Sequence, residues 1–120
     1  MKKITANPDD GSYECREYKD GVLQGISEVF DSNRTKVSHS GYVEGRLNGL
    51  CQAWRSHGSA HMVFHCVDGE YDGAYMTFWH TGFVKESGTF RKGKRVGIYR
   101  WYKHDGSLWK EQVYEDDEIL

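Results

Sequence analysis

Apolar positions recur along this chain with a period of 24 residues. Aromatic side chains stand at Phe30, Trp54, Phe78 and Tyr102, and aliphatic ones at Ile26, Leu50, Ala74 and Ile98. A third column runs Tyr18, Tyr42, Cys66, Phe90 and Tyr114. Within a period, two stretches rich in aromatic and β-branched residues, such as 74–79 and 84–91, flank a short turn, which predicts a β-hairpin. The turn column reads Asn33-Arg34, His57-Gly58, Thr81-Gly82 and Asp105-Gly106. Glycine there supplies the positive φ of a tight hairpin, so Arg34 predicts a looser first copy. Glycine pairs at Gly21/Gly25, Gly45/Gly49, Gly69/Gly73 and Gly93/Gly97 keep the same register and mark the turns between units.

The units are therefore 21–44, 45–68, 69–92 and 93–116, preceded by a half unit at 12–20. Together they make repeats over 12–116 of a single domain, 1–120. The pattern predicts an all-β fold, a single elongated antiparallel meander of about nine strands, with residues 1–10 a mobile leader. At about 4.8 Å per strand the sheet is roughly 38 Å long, and equivalent residues of successive copies lie about 9.6 Å apart. A single sheet covers neither face, so the ribbon is expected to curl into a trough filled by the aromatic columns. Glycines in the strands permit the curl and let rings lie over bare backbone.

Composition narrows the functional classes. With 38% apolar and 28% charged residues over 120 positions, the chain reads as one globular domain, and most of its fourteen glycines are spent on the repeat. No glycine-rich phosphate loop remains among them. No apolar run is long enough for a membrane span, and residues 1–8 contain none that would serve as a signal peptide, so a cytoplasmic location is expected. Cys15, Cys51 and Cys66 are odd in number and widely spaced, which predicts reduced thiols rather than a disulfide framework or a zinc pair.

The candidate chemistry is sparse. His57, His61 and His65 have a helical metal-ligand spacing, but the repeat puts His57 in a turn and leaves only His61 and His65 on one strand face, with Cys66 on the other. No cysteine and histidine are placed together by the pattern, no nucleophile elbow or cofactor fingerprint occurs, and the acidic residues stand mainly beside turn glycines. The chain is accordingly read as non-enzymatic, with no catalytic residues, no metal and no cofactor.

Charge is more informative. The overall balance is −2, yet residues 91–110 hold seven basic residues and one acidic one, while 111–120 hold five acidic residues and no base. The acidic block is expected to neutralise the last hairpin and to guard its open edge. The basic hairpin also carries Tyr99, Trp101, Tyr102 and Trp109. Trp79, Trp101 and Trp109 occupy columns that other copies fill with polar or small residues, which makes them the expected exposed anchors. With Tyr75, Tyr99, Arg95 and Arg100 they form the expected partner-binding set.

The phrases Tyr42-Val43-Glu44-Gly45-Arg46-Leu47-Asn48-Gly49 and Gly97-Ile98-Tyr99-Arg100-Trp101-Tyr102-Lys103-His104-Asp105-Gly106-Ser107-Leu108, with their spacing, resemble MORN repeats, and most closely the bacterial variant of that repeat. The likeness extends over residues 18–114. The third and fourth copies match best, the first lacks the turn glycine, and the second has Cys66 where the motif closes on tyrosine. The resemblance implies a β-hairpin solenoid without catalytic residues. Variant members include antitoxins, and classical repeats act as scaffolds for protein assembly, sometimes at membranes.

The reading that joins these lines is a non-enzymatic protein-protein interaction module. It is expected to act as a small inhibitor or neutraliser of the antitoxin, immunity or anti-defence kind, docking a partner protein on its repeat sheet. Two alternatives come from other classes. One is binding of single-stranded nucleic acid through the basic aromatic hairpin 91–110. The other is a membrane-surface or self-assembling scaffold; the chain is expected to be a monomer or to self-associate through its sheet edges.

Overall fold

The computed structural model describes every residue from Met1 to Leu120 and contains no helix. Twelve strands run β1 (Lys2–Ala6), β2 (Tyr13–Lys19), β3 (Val22–Phe30), β4 (Lys36–Val43), β5 (Arg46–Leu47), β6 (Gly49–Trp54), β7 (Ala60–Val67), β8 (Glu70–Phe78), β9 (Val84–Arg91), β10 (Lys94–Tyr102), β11 (Leu108–Glu115) and β12 (Glu118–Ile119). They form one antiparallel sheet in sequence order, with the short β5 pairing β4 off the main path. The molecule is a ribbon of 46 × 32 × 18 Å.

Two turn types, each repeated in register, build this meander. The inter-unit turns place two residues at positive φ in succession: Asp20-Gly21, Glu44-Gly45, Asp68-Gly69 and Lys92-Gly93. That is the type I′ geometry whose twist matches the flanking strands. The last three are tied back across the sheet, as Gly45, Gly69 and Gly93 donate their main-chain N–H to the oxygens of Leu23, Leu47 and Tyr71. A fifth copy, Asp116-Asp117, has the same conformation without glycine, and Asp117 donates to the Arg95 oxygen. The turns within units close at Asp31, Arg55, Trp79 and Lys103, each of which receives an N–H from the residue three positions on.

Three features differ from the sequence expectation. Residues 2–6 are not a mobile leader, because β1 pairs with β2 over five residues and extends the sheet by one strand. With β1, β5 and β12 the strand number rises from nine to twelve. The first hairpin turn is not looser: Arg34 adopts φ 65° where the later copies have glycine at 93–95°, and its N–H still reaches the Asp31 oxygen at 3.0 Å. The Asp31 carboxylate accepts N–H bonds from Asn33 and Thr35, which supports the turn from outside the backbone.

The register separates two faces. One carries the 27/51/75/99 column (Ser27, Cys51, Tyr75, Tyr99) and the 42/66/90/114 column (Tyr42, Cys66, Phe90, Tyr114). All six buried residues belong to it: Ser27, Cys51, Cys66, Thr77, Tyr99 and Tyr114. Phe64, Tyr71, Tyr75, Phe90 and Tyr99 form a chain of rings with neighbouring centroids 5.1–6.5 Å apart. A chain of this size that buries so few residues relies on its ladder and on this one layer of rings.

The opposite face pairs Ile26 with Gly41, Leu50 with His65, Ala74 with Thr89 and Ile98 with Val113. Ile4, opposite Cys15, extends the same face.

Candidate functional site

The predicted partner-binding residues divide among three surfaces. Tyr75, Arg95, Tyr99 and Trp101 lie on the ring-bearing face, Arg100 on the opposite one, and Trp79 and Trp109 at the end of the sheet where the hairpins turn.

On the ring-bearing face Tyr99 is only 4% exposed, so its ring is core rather than contact surface. Burial, with the charge of Glu86 next, pushes the Tyr75 phenol up to about 12 and raises that of Tyr99 further. Both phenols remain neutral at physiological pH. Trp101 is half-buried, packed 4.9 Å from Tyr99 and covered by Lys110, whose Nζ is 5.1 Å from its ring.

Arg95 and Arg100 are each engaged by the acidic block. Arg95 Nε donates to the Asp117 carboxylate at 2.9 Å, and the Arg95 main-chain N–H reaches the same oxygen at 3.1 Å. The Arg95 guanidinium also sits 4.6 Å from the Tyr114 ring. On the other side of the sheet, Arg100 Nε donates to Glu111 at 3.1 Å. The Arg95 guanidinium, bonded to the carboxyl of Asp117, holds that carboxyl below the usual carboxylate range. The 91–110 block is therefore not one basic aromatic surface: the strand alternation that sends Arg95 and Arg100 to opposite faces divides it.

Of the three expected anchors, Trp109 is 65% exposed, whereas Trp79 is half-buried. The Trp79 indole N–H donates to the main-chain oxygen of Tyr102 at 3.0 Å, its ring meets His104 at 5.8 Å, and Lys85 lies 4.8 Å from it. Arg55 makes the equivalent bond one unit earlier, donating to the Phe78 oxygen at 2.8 Å. A column that looks merely variable thus supplies side-chain N–H groups that join one hairpin to the next.

The bond in turn builds a notch of about 290 Å³ lined by Trp79, Tyr102, Lys103, His104, Asp105 and Trp109. Five of those positions stand 24 residues after Arg55, Phe78, Trp79, His80 and Lys85, which line the preceding groove of about 420 Å³. Each recess therefore comes from the repeat. Sequence reasoning missed it because two different units line it. The available signal was the coincidence of aromatic residues at 79, 102 and 109.

A second capping column was equally unmarked. Gln24, Asn48 and Asp72 accept main-chain N–H bonds from Glu44, Asp68 and Lys92 at 2.7, 3.0 and 3.2 Å. Their shared feature is a side-chain amide or carboxylate oxygen just before the second glycine of each pair.

The face opposite the rings presents an apolar row. Ile4, Ile26, Leu50, Ile98 and Val113 are 37–69% exposed, with the pairs Glu28–His39 at 2.9 Å and Arg100–Glu111 at 3.1 Å on the same face. No group of three or more metal-ligating side chains converges anywhere. His65 shares this face with Leu50, while Cys66 points to the other. Cys51 and Cys66 are buried free thiols, and burial, with Cys51 next, pushes the Cys66 thiol up to about 11.

No protein-family model matches the sequence, and no curated protein does either. Two solved structures bear a loose likeness to the chain. One, of TarM, has 19% identity and a TM-score of 0.48, covering 91% of this chain and 20% of that one. The other, of a point mutant of S. aureus TarM in complex with fondaparinux, α-GlcNAc-glycerol and UDP, has 19% identity and a TM-score of 0.47, covering 80% of this chain and 19% of that one. The chain thus spans about a fifth of the length of either.

Proposed function

We propose that this chain is a non-enzymatic interaction module that docks a partner protein on its repeat sheet, in the manner of a small inhibitor or neutraliser. The observation that carries the reading is the exposed apolar row on one sheet face: Ile26, Leu50 and Ile98 at repeat positions, with Ala74 between the last two, and Ile4 and Val113 beside them on the same face. Aliphatic side chains set in register on a regular surface gain free energy only by leaving water, and polar and charged side chains beside such a row, here Glu28, His39, Arg100 and Glu111, are the ordinary anatomy of a protein interface. The resemblance of residues 18–114 to MORN-variant repeats supports the same reading.

The nucleic-acid alternative draws less support from the geometry. Arg95 and Arg100 are already paired with Asp117 and Glu111 and stand on opposite faces. The scaffold alternative shares the apolar row and the open sheet ends, and differs in what covers them. No helix is long and apolar enough to cross a membrane.

Affinity capture of the tagged protein from its native host at physiological salt, with half the sample treated with nuclease, tests the proposal. A stoichiometric protein that survives nuclease is the expected result. Nuclease-sensitive recovery favours the nucleic-acid reading, and an empty eluate with self-association in light scattering favours the scaffold.

A further inference from the structure

We infer that the two open edges of the sheet join head to tail, with β1 of a second copy of this chain completing the strand that β12 begins. This goes beyond the docking of a partner on a sheet face, since it uses the edges and leaves both faces free. Register, hydrogen-bonding direction and charge each point to it.

The register comes from the repeat. Strand β3 pairs β4 at Ile26↔Gly41, Ser27↔Ser40, Glu28↔His39 and Val29↔Ser38, and β1 pairs β2 at Lys2↔Glu17, Lys3↔Arg16, Ile4↔Cys15 and Thr5↔Glu14. Each β1 pair stands one 24-residue period before its β3 counterpart on both strands, so β1 is the second half of a unit's opening strand. Strand β12 is a first half: Glu115↔Glu118 and Tyr114↔Ile119 stand one period after Lys94↔Arg91 and Arg95↔Phe90. In β10 the second half goes on to pair Arg100 with Ser87 and Trp101 with Glu86. One period later, Glu111 and Lys110 have no strand beside them on that side. Ile4 and Thr5 are the β1 equivalents of Arg100 and Trp101, so β1 set there in the repeat register puts Ile4 opposite Glu111 and Thr5 opposite Lys110.

The main chain is oriented for this pairing. Along an antiparallel strand, the N–H and C=O groups of successive residues turn alternately to the two neighbours. Met1 exchanges bonds with Tyr18, and Asn7 donates to the Ser12 oxygen, so the odd-numbered residues of β1 face β2 and Lys2, Ile4 and Ala6 face the open edge. At the other end the Val113 oxygen accepts the Leu120 N–H at 3.0 Å on the outer side, and Glu111, two residues away, turns its main-chain groups the same way. Ile4 and Glu111 therefore both point outward. Placed opposite each other, they exchange two N–H···O bonds.

The two edges carry opposite charge. Strand β1 holds Lys2 and Lys3 and no acid, while residues 115–118 are Glu115, Asp116, Asp117 and Glu118. Asp117 is taken by Arg95, but Lys2, Lys3, Glu115 and Glu118 form no ion pair within the chain. Glu115 and Glu118 stand directly opposite one another, an unfavourable pair that a neighbouring cation relieves. In the join Lys2, two residues from Ile4, lies on the same face as Glu111 and Glu115. Like edges meeting would set lysines against lysines or carboxylates against carboxylates, so only the head-to-tail contact brings opposite charges together. Strand β1 also has neither a proline nor a bulge to stop a strand from adding.

Sedimentation velocity of the untagged protein over a range of concentrations tests the join. The mass should climb past that of a dimer without a plateau, because a heterologous contact leaves both ends of each assembly open. Salt at about 1 M should weaken the association about tenfold. Ile4→Pro removes an outward N–H and spares the bonds to β2, so it should keep its circular dichroism and stay monomeric where the wild type assembles. Added in small amounts to the wild type it still offers its own acidic edge, and should shorten the assemblies by capping them. Lys2→Glu with Lys3→Glu should weaken association about tenfold through charge alone.

A protein that stays monomeric at every concentration, or that stops at a dimer, overturns the inference. So does association undiminished in both Ile4→Pro and the Lys2→Glu, Lys3→Glu variant, which assigns it to the apolar row instead. None of these results touches the face-docking reading, which falls only if affinity capture returns no protein.

Discussion

The ring of Tyr99 occupies the space that a side chain on Gly88 would need. A Cβ at position 88 would stand 2.9 Å from the ring's Cγ, and closer still to Cδ2 and Cε2. Tyr99 is 4% exposed and touches Tyr75, Phe90, Trp101 and Tyr114, so it has nowhere to retreat. Gly88→Ala should therefore destabilise by about 2 kcal/mol or more, the scale of overpacking in a filled layer. Gly97→Ala meets open space and bears only the strain of φ +74°, about 1 kcal/mol. Urea denaturation of the two variants checks the order.

The first hairpin offers the opposite experiment. Arg34 holds φ 65° at the position where the other copies place Gly58, Gly82 and Gly106. Arg34→Gly should raise stability by about 1 kcal/mol, the usual strain of a left-handed non-glycine residue, partly offset by added unfolded-state entropy. A melting temperature that falls instead would show that the Arg34 side chain contributes more than its backbone strain costs.

How much of this was legible in the sequence follows from what each residue does. The period could be read because the type I′ turns need a residue such as Gly45 or Gly69 at every copy, and few other residues adopt that φ. Strand β1 could not, since Lys2 to Ala6 repeats no column and is ordered only by its pairing with residues 13–17. Trp79 was readable as an anchor only in part. Its column mate Arg55 looks like a solvent residue, and what they share, a long side chain with an N–H at the right height, shows only when the next unit's carbonyl is in place. The split of Arg95 from Arg100 was implicit in strand alternation, but counting charges over a block discards it.

Acid should weaken the fold in a defined direction. Hydrogen bonds from His39, then Lys36, hold the Glu28 carboxyl below its ordinary 4.5, and those from Arg95 hold Asp117 below 3.8. A carboxyl whose folded pKa is depressed stabilises fully above its unfolded value and loses that contribution as pH falls toward the folded one. The melting temperature should stay level from about pH 7 to pH 5 and drop below about pH 4.5. Asp117 is exposed and Glu28 half-buried, both open enough to solvent for screening to keep the drop attributable to either small. Glu28→Gln should make the acid limb shallower, and an unaltered limb would remove Glu28 from the account.

The thiols should separate by burial. Cys15 is half-buried at the β1–β2 end, whereas Cys51 and Cys66 are enclosed beneath the rings, and Cys66 has its thiol pushed up to about 11. Iodoacetamide at neutral pH should label Cys15 first and reach the other two only as the protein unfolds. Equal rates at all three would mean that the ring layer opens readily.

The central claim is that a partner protein covers the apolar row. Its most direct measurement is nuclease-treated affinity capture run in parallel on the wild-type chain and on the double variant Leu50→Lys, Ile98→Lys. Both residues are exposed on the face opposite the rings, so the variant should keep its circular dichroism and its melting temperature. The account predicts one stoichiometric protein with the wild type and its loss with the variant. An identical eluate from both, or recovery that depends on nucleic acid, would contradict it.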